Sequence, residues 1–589
     1  MTDEIDRPIP CEVAQFYGSD AIAEMMRRLD IPYVALNPGS SFRGLHDSLV
    51  NHLGNRAPQM LLCLHEEHAV AIAHGYAKVT ERPLGVILHA NVGLMHGTMA
   101  LYNAWCDRVP MLVFGATGPV DAAKRRPWID WLHTSRDQAS IVRPYVKWDD
   151  QPASLAASLQ SMMRARLLTS TAPMAPTYVC FDVSVQEQSL ETMPILPDAE
   201  RHALPQFARP GEAEALQILD LLKAAKAPVL LMGRVNRDQA AWDRRVLLAE
   251  RFGAKVVTDI KQAAAFPTRH PLHAGAPSFF LSEASAKTIA EADLVVCFDW
   301  VDPAGALAQA GIDRDRTKVV NVTLEPLLQN GWSLDHGSLL EADLSYLSEP
   351  DAMISALCDL AGIDSAQASD WAVSHAPNVR TPLKGPTITV NALADELARQ
   401  LEGVERTHIR FTLGWDGGRC DFRGPLDYLG YDGGAGIGSG PGMAVGAALA
   451  LQGGDTARLP VAVLGDGDFL MGATALWTAT HHKLPLLIVV ANNRSYFNDE
   501  VHQEHVALHR NRPVQNKHVG QAIEEPDIDI AAIARAQGAV GYGPVERLDE
   551  LSGTLANALR DVRTGHTVVV DVRVMRGYSE DMAEGMTNE

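Results

Sequence analysis

The sequence predicts an α/β protein built from three doubly wound parallel-sheet domains, and three observations lead there. Short apolar runs rich in Val, Ile and Leu alternate with longer segments of helical period along the whole chain, as parallel strands do when helices cover both faces of their sheet. Two loose stretches, at 191–210 and at HAPNVRTPLKGP from 375, interrupt that alternation. A length of 589 residues exceeds a single core and suits three domains of roughly 100–200 residues each. Domains are therefore expected at 1–190, 205–375 and 385–589.

In chain order, SDAIAEMMRRL from Ser19 places Ile22, Met25, Met26 and Leu29 at helical spacing, and YVALNPGSS follows as a strand entering a loop. Further strands of the first unit are expected at 60–64, 85–88, 111–114 and 177–182. The second unit offers 229–232, 255–259, 294–298 and 318–322, and the third 408–413, 461–464, 486–491 and 567–574.

Composition narrows the function. A formal net charge of −21 leaves no broad basic surface for nucleic acid or anionic membrane. No apolar run approaches the ~20 residues of a membrane span, and the start, MTDEIDRPIP, is acidic. The seven cysteines, at 11, 63, 106, 180, 297, 358 and 420, are scattered and never CxxC, which fits reduced thiols in a cytoplasm.

The chemistry concentrates at 464–493. A buried strand ends in LGDGDF, so Asp466 stands at its carboxyl end, where open α/β sheets bind ligands, and Gly465 and Gly467 permit a tight turn. A helical segment, ATALWTATHHKLP, and a second apolar run, LLIVVA, lead to Asn492 and Asn493. Asp466 and Asn493 can thus stand side by side on neighbouring parallel strands. Two hard oxygen ligands and a backbone bared by glycine suit an octahedral Mg²⁺ that also holds a diphosphate.

GDG followed by NN at this interval resembles the cofactor motif of thiamine-diphosphate-dependent enzymes. A distant segment, LHEEHAVAIAHGYAKVTERPLGVILHANVG at 64–93, is similar to the same family's glutamate segment. The wording LHANVGLMHGTMALYNAW, RPYVKW and ALWTA resembles the benzoylformate decarboxylase type most, then the acetolactate synthase and 2-hydroxyacyl-CoA lyase types. The resemblance covers nearly the whole chain and implies pyrimidine-binding, central and diphosphate-binding domains in that order, with thiamine diphosphate and Mg²⁺ as cofactors. It implies that Glu66 hydrogen-bonds the aminopyrimidine and promotes formation of the C2 ylide, and that Ile437, in DGGAGIGSGPGM, props the cofactor into its bent shape. It further implies metal ligation by the side-chain oxygens of Asp466 and Asn493 and the backbone carbonyl of Ser495, and substrate contact by His89 and Ser40. His65, His68 and His96 are taken as structural. The family's sites lie between subunits, so a homodimer or homotetramer is implied.

Beyond Asn493 the chain departs from the benzoylformate decarboxylase pattern. RSYFNDEVHQEHVALHR brings Asn498, Asp499, Glu500, His502 and His505 where that type carries small and apolar groups. As a helix, this segment puts Asn498, His502, His505 and His509 on one face. The central-domain segment FDWVDPAG lacks the second histidine of that type. Asp499 or Glu500 is the candidate proton-handling carboxylate. The readings left open are decarboxylation of a 2-oxo acid, placed first, cleavage of a 2-hydroxyacyl-CoA to formyl-CoA and a carbonyl compound, carboligation, and a non-catalytic cofactor-binding protein. Arg234 and Arg237, in MGRVNRD, are a candidate phosphate clamp or plain surface.

Overall fold

The computed structural model describes residues 5–10, 14–206, 208–325, 339–363, 386–452 and 458–577. The expected loose stretch at 375–385 and the expected domain ends at 375 and 385 lie outside the described residues, as does Cys11; the six other cysteines are free.

Three all-parallel sheets account for the architecture. The first contains β1 (Tyr33–Leu36), β2 (Gln59–Leu62), β3 (Leu84–Leu88), β4 (Met111–Thr117), β5 (Trp148–Asp150) and β6 (Pro176–Asp182), in the order β2-β1-β3-β4-β6-β5. The second contains β7 (Pro228–Met232), β8 (Lys255–Thr258), β9 (Leu294–Phe298), β10 (Lys318–Thr323) and β11 (Leu344–Leu347), ordered β8-β7-β9-β10-β11. The third contains β12 (Arg406–Arg410), β13 (Leu459–Gly465), β14 (Leu486–Asn492), β15 (Val540–Val545) and β16 (Thr567–Arg573), ordered β12-β13-β14-β16-β15. The expected strands all fall on elements of these sheets. The edge strands β5, β11 and β15 are additions, and a short antiparallel pair, Phe16–Tyr17 with Ser189–Leu190, ties the two ends of the first domain together.

Alternation along the central strands of the third sheet decides what each face meets. Ala462, Leu464, Ile488 and Val490 belong to a core shared with the first domain. Val461, Val463, Leu487 and Val489 belong to one shared with the second. The third sheet is thus sandwiched between the other two domains.

The contact with the first domain is made by α1 (Glu66–Thr80), which continues into the sheet layer beside α2 (Ala90–Cys106), and by α3 (Gly440–Gln452) of the third. α1 and α3 cross at backbone contact: a Cβ on Gly75 would lie 2.0 Å from the Met443 carbonyl oxygen, and one on Gly446 would lie 1.9 Å from that of Ile72. Only glycine allows this approach. Beside the crossing, Lys78 donates to Asp107 and to the Tyr431 carbonyl (2.5 Å to the latter), and His74 Nε2 lies 2.8 Å from Asp107 Oδ2. This buried network joins α1, the end of α2 and the loop entering α3. No helix among the described residues is long and apolar enough to cross a membrane.

The ion pair is almost fully desolvated, with side chains 1% and 6% exposed, so Asp107→Ala leaves a buried ammonium without its countercharge. The expected cost is about 3–5 kcal/mol, read as a lower urea midpoint. An unchanged midpoint would show that the pair holds nothing together.

Candidate active site

The motif at 464–493 forms one end of a cavity. β13 ends at Gly465, and a short helix, α4 (Asp466–Gly472), starts directly at Asp466. The chain turns from strand to helix at this point without a positive φ at either Gly465 or Gly467. What Gly467 provides is room, since a Cβ there would meet the Tyr496 ring at 2.6 Å. Across from Asp466, β14 delivers the two asparagines with different tasks. Asn492 donates to Asp571 (2.8 Å) and fixes the strand end, while Asn493 Oδ1 accepts from the Ser495 N–H (2.9 Å). The same N–H lies 3.2 Å from Asp466 Oδ2. Asp466, Asn493 and Ser495 are therefore brought together. Burial pushes the Asp466 carboxyl up to about 6, with only backbone N–H groups offsetting it, so the site lacks a positive charge that a cation would provide.

The glycine-rich turn beside it is set by buried charge. Arg410, at the end of β12 and 2% exposed, donates to Asp432 Oδ2 (2.6 Å), lies 3.5 Å from Asp468 and sits 4.0 Å above the Tyr431 ring. Asp468 in turn accepts from the N–H groups of Gly438 (2.6 Å) and Gly440 (3.3 Å), and Asp432 accepts from that of Ala435 (2.8 Å). Asn103 of α2 clasps Gly436 from the other side, donating at 3.0 Å and accepting at 3.2 Å. Ile437 is held at the crest of this turn and faces the cavity. One nitrogen of Arg410, Nη2, is buried without a partner. A buried carboxylate, a carboxamide oxygen, an unmatched guanidinium nitrogen and a glycine turn fit a hard cation together with a diphosphate.

The cavity, of about 830 Å³, is lined by these elements, by Lys261, Phe279, Phe280 and Val301 of the central domain, and by the start of α5 (Phe497–His509). Asn498, Asp499 and His502 line it, and His505 and His509 do not. Glu500 does not face it either. Its side chain, 1% exposed, accepts from the Ser495 hydroxyl and lies 3.6 Å from Arg576, which also donates to the Asn493 and Arg494 carbonyls. One residue apart on a helix, the two carboxylates point some 100° apart: Asp499 lines the cavity, and Glu500 holds the loop that carries Ser495.

Glu66 lies elsewhere. It begins α1, capped by His65, whose Nδ1 accepts from the Glu67 N–H at 3.1 Å. Its carboxylate lies 3.0 Å from Nδ1 of His96, and it does not line the cavity. Glu67 turns the other way, toward Asp468, and burial followed by that charge raises its pKa. His89, at the end of β3, holds Ser41 Oγ at 2.7 Å and His133 at 3.1 Å. Burial, then His133, lowers its pKa, so the ring is neutral at physiological pH. The serine in contact with His89 is Ser41, while Ser40, one position earlier in the short 3₁₀ turn Ser40–Phe42, is exposed on the same side of the sheet end. Several large apolar side chains in the neighbouring segments of the chain are exposed: Leu64, Met95, Met99, Trp128 and Trp131.

Arg234 and Arg237 are not surface residues. Only 13% and 17% exposed, they pair with Asp299 and Glu81 and line a second cavity of about 480 Å³ between the first and central domains. The sequence did not point to Arg410, Asp468, His133, Ser41 or Lys261, and His96 was expected to be structural. For Asp468 the DGD spacing carried a hint; for Arg410 nothing local marked it.

Comparison with known proteins agrees with this layout. Residues 16–141, 216–326 and 415–572 match the models of the N-terminal TPP binding, central and C-terminal TPP binding domains of thiamine pyrophosphate enzymes. The benzoylformate decarboxylase of Pseudomonas aeruginosa is 25% identical over 558 residues, covering 91% of this chain and 95% of that protein. The acetolactate synthase large subunit of Lactococcus lactis is 21% identical over 490 residues, covering 81% of each. The crystal structure of benzoylformate decarboxylase from Polynucleobacter necessarius superposes with a TM-score of 0.75 over 96% of this chain and 99% of that one, at 21% identity, a likeness of fold. With all three domain models matched in order across the three sheets, the chain belongs to the thiamine pyrophosphate enzyme family.

Proposed function

We propose that the chain is a thiamine-diphosphate- and Mg²⁺-dependent carbon–carbon lyase that decarboxylates a 2-oxo acid. The observation that carries this reading is the cavity of about 830 Å³ lined both by the Asp466–Asn493–Ser495 cradle and by Asp499. Asp466 and Asn493 side-chain oxygens and the Ser495 carbonyl would hold the cation, with the 433–438 turn and Arg410 against the diphosphate and Ile437 beneath the rings. The bound cofactor supplies a ring-carbon nucleophile and an electron sink. Glu66 would hold a proton at the pyrimidine edge, and Asp499 would return a proton to the product once CO₂ has left. Lys261 and His502 offer positive charge or hydrogen bonds to a substrate carboxylate.

Glu66 and the cavity lie apart within one chain, so this reading requires Glu66, with His89 and Ser40, to come from a second copy. The exposed Leu64, Met95 and Met99 around Glu66, and Met471 beside the cradle, support a homodimer or homotetramer, since apolar patches of this kind mark interfaces. The six free cysteines support a cytoplasmic setting. A second reading, cleavage of a 2-hydroxyacyl-CoA, is favoured by the arginine-lined cavity of about 480 Å³. Asp499 would then act as base on the substrate hydroxyl.

Mass-spectrometric product analysis on a panel of 2-oxo acids and 2-hydroxyacyl-CoA thioesters, each with and without an acceptor aldehyde, separates the readings. CO₂ and an aldehyde are expected from an oxo acid. Formyl-CoA from a thioester, or only ligation product, would refute decarboxylation. With the substrate identified, Glu66→Gln is expected to retain cofactor binding and to slow turnover by about 10²–10⁴-fold, and Glu500→Gln to affect stability more than the chemical step. Turnover unchanged in Glu66→Gln would remove its assigned role.

Burial holds the Asp466 pKa at about 6, and a carboxyl group binds Mg²⁺ only when ionised, so affinity is full above that pH and declines as pH falls through it. Calorimetric titration of Mg²⁺ at saturating cofactor should show affinity dropping about tenfold per pH unit below this value. Affinity independent of pH down to about 4.5 would contradict Asp466 as a ligand.

A further inference from the structure

A cluster that the cofactor site does not use joins the N-terminal segment to the C-terminal domain. The helix Ala475–His481 ends in two histidines just before the chain enters β14. Against them lies Asp6, and one carboxylate oxygen and one ring nitrogen from each of His481 and His482 fall within 4.8 Å of one another. Asp6 Oδ2 is 2.8 Å from His481 Nε2. The His481 ring stacks on Trp477, with centroids 4.8 Å apart, and meets His482 edge to face at 5.0 Å, so packing fixes both imidazoles.

His482 is the informative member. It is 2% exposed, yet neither of its ring nitrogens has a hydrogen-bond partner. Buried polar side chains ordinarily find one, and the Asp6–His481 pair leaves this ring unmatched. Asp6 itself is presented deliberately by the backbone. Its φ of 58° lies in the left-handed region, its carbonyl accepts from Asn55 Nδ2 at 3.0 Å, and the neighbouring Arg7 donates to the Asn55 carbonyl.

We propose that Asp6, His481 and His482 form a structural site for a zinc-class divalent cation, which fastens the N-terminal segment to the C-terminal domain. Two imidazoles and one carboxylate are the borderline donors that zinc takes at ~2.0–2.2 Å in tetrahedral sites, with water available for the fourth position. The same set is a poor match for Mg²⁺, which prefers oxygen. The Asp466 cradle offers oxygen ligands only, so the two sites sort different metals. The bridge acts on a significant place: the helix it grips leads directly into β14, whose end carries Asn493. Among the described residues one other trio, His65, Glu66 and His96, has comparable donor spacing. It belongs to the candidate active site and serves as the control.

The full-length protein, saturated with Mg²⁺ and thiamine diphosphate, is titrated with Co²⁺ and followed by visible absorption, in which tetrahedral imidazole-ligated cobalt is distinct from octahedral all-oxygen cobalt. One Co²⁺ per chain with nitrogen ligation, displaced by Zn²⁺, is expected. Affinity should fall about tenfold or more in Asp6→Asn and in His481→Gln, and stay unchanged in His96→Gln. Both altered side chains are partly exposed, at 42% and 29%, and circular dichroism verifies that each variant is folded. Absence of stoichiometric uptake, uptake unaltered in both variants, or uptake lost in His96→Gln would each overturn the proposal.

Discussion

A single buried guanidinium organises the cofactor side of this protein. Arg410 lies between Asp432 and Asp468, and each of those carboxylates spends its remaining oxygen on backbone N–H groups of the turn that carries Ile437. Two buried carboxylates without that cation would repel each other and bear the full cost of desolvation. The turn is therefore not flexible for all its glycine. Its conformation is dictated from below by charge, and from the side by Asn103 of the first domain.

That lateral contact belongs to a larger arrangement in which the first and third domains share one core. The crossing of α1 and α3 at Gly75 and Gly446 leaves no layer of side chains or water between the backbones, and the Lys78–Asp107–His74 network closes the adjoining gap. A helix whose first residue is Glu66 is thereby fixed relative to the turn above Arg410. Adjacent carboxylates on its first turn face different ways: Glu67 toward its own chain's Asp468, and Glu66 toward His96 and a surface rich in exposed apolar groups.

The sequence made the fold legible where burial is two-sided. Central strands such as LLIVVAN and LPVAVLG are continuous apolar runs, whereas the edge strands WDD, LSYL and VGYGPV are short, mixed or interrupted by glycine and proline, and carry little pattern. The cradle was legible because Asp466 and Asn493 are fixed by the strand-turn-helix-strand interval between them. Single-residue assignments in irregular segments were not. Which of Asp499 and Glu500 lines the cavity depends only on how the first turn of α5 aims each side chain. Arg410 was invisible for another reason: its partners are 22 and 58 positions away in sequence, and only the fold brings them together. Arg234 and Arg237 read as surface because the first domain that covers them lies far off in the chain.

The walls of the cofactor cavity come from different parts of the chain. One wall, from β13, β14 and the turn at 433–438, is backed by the fused first and third domains. The opposite wall comes from loops of the central domain, through Lys261, Phe279, Phe280 and Val301, and from the first turn of α5. The central-domain loop at Lys261 is pinned to the third domain, its carbonyl accepting from the Tyr431 N–H (2.9 Å) while the Ala264 N–H donates to the Tyr428 carbonyl (3.0 Å), so what varies freely there is the side chains and not the backbone. Drift in the amino acids of that second wall can accordingly alter which molecules are admitted while the cofactor cradle stays intact. A lineage of such chains can exchange substrates without rebuilding its catalytic machinery.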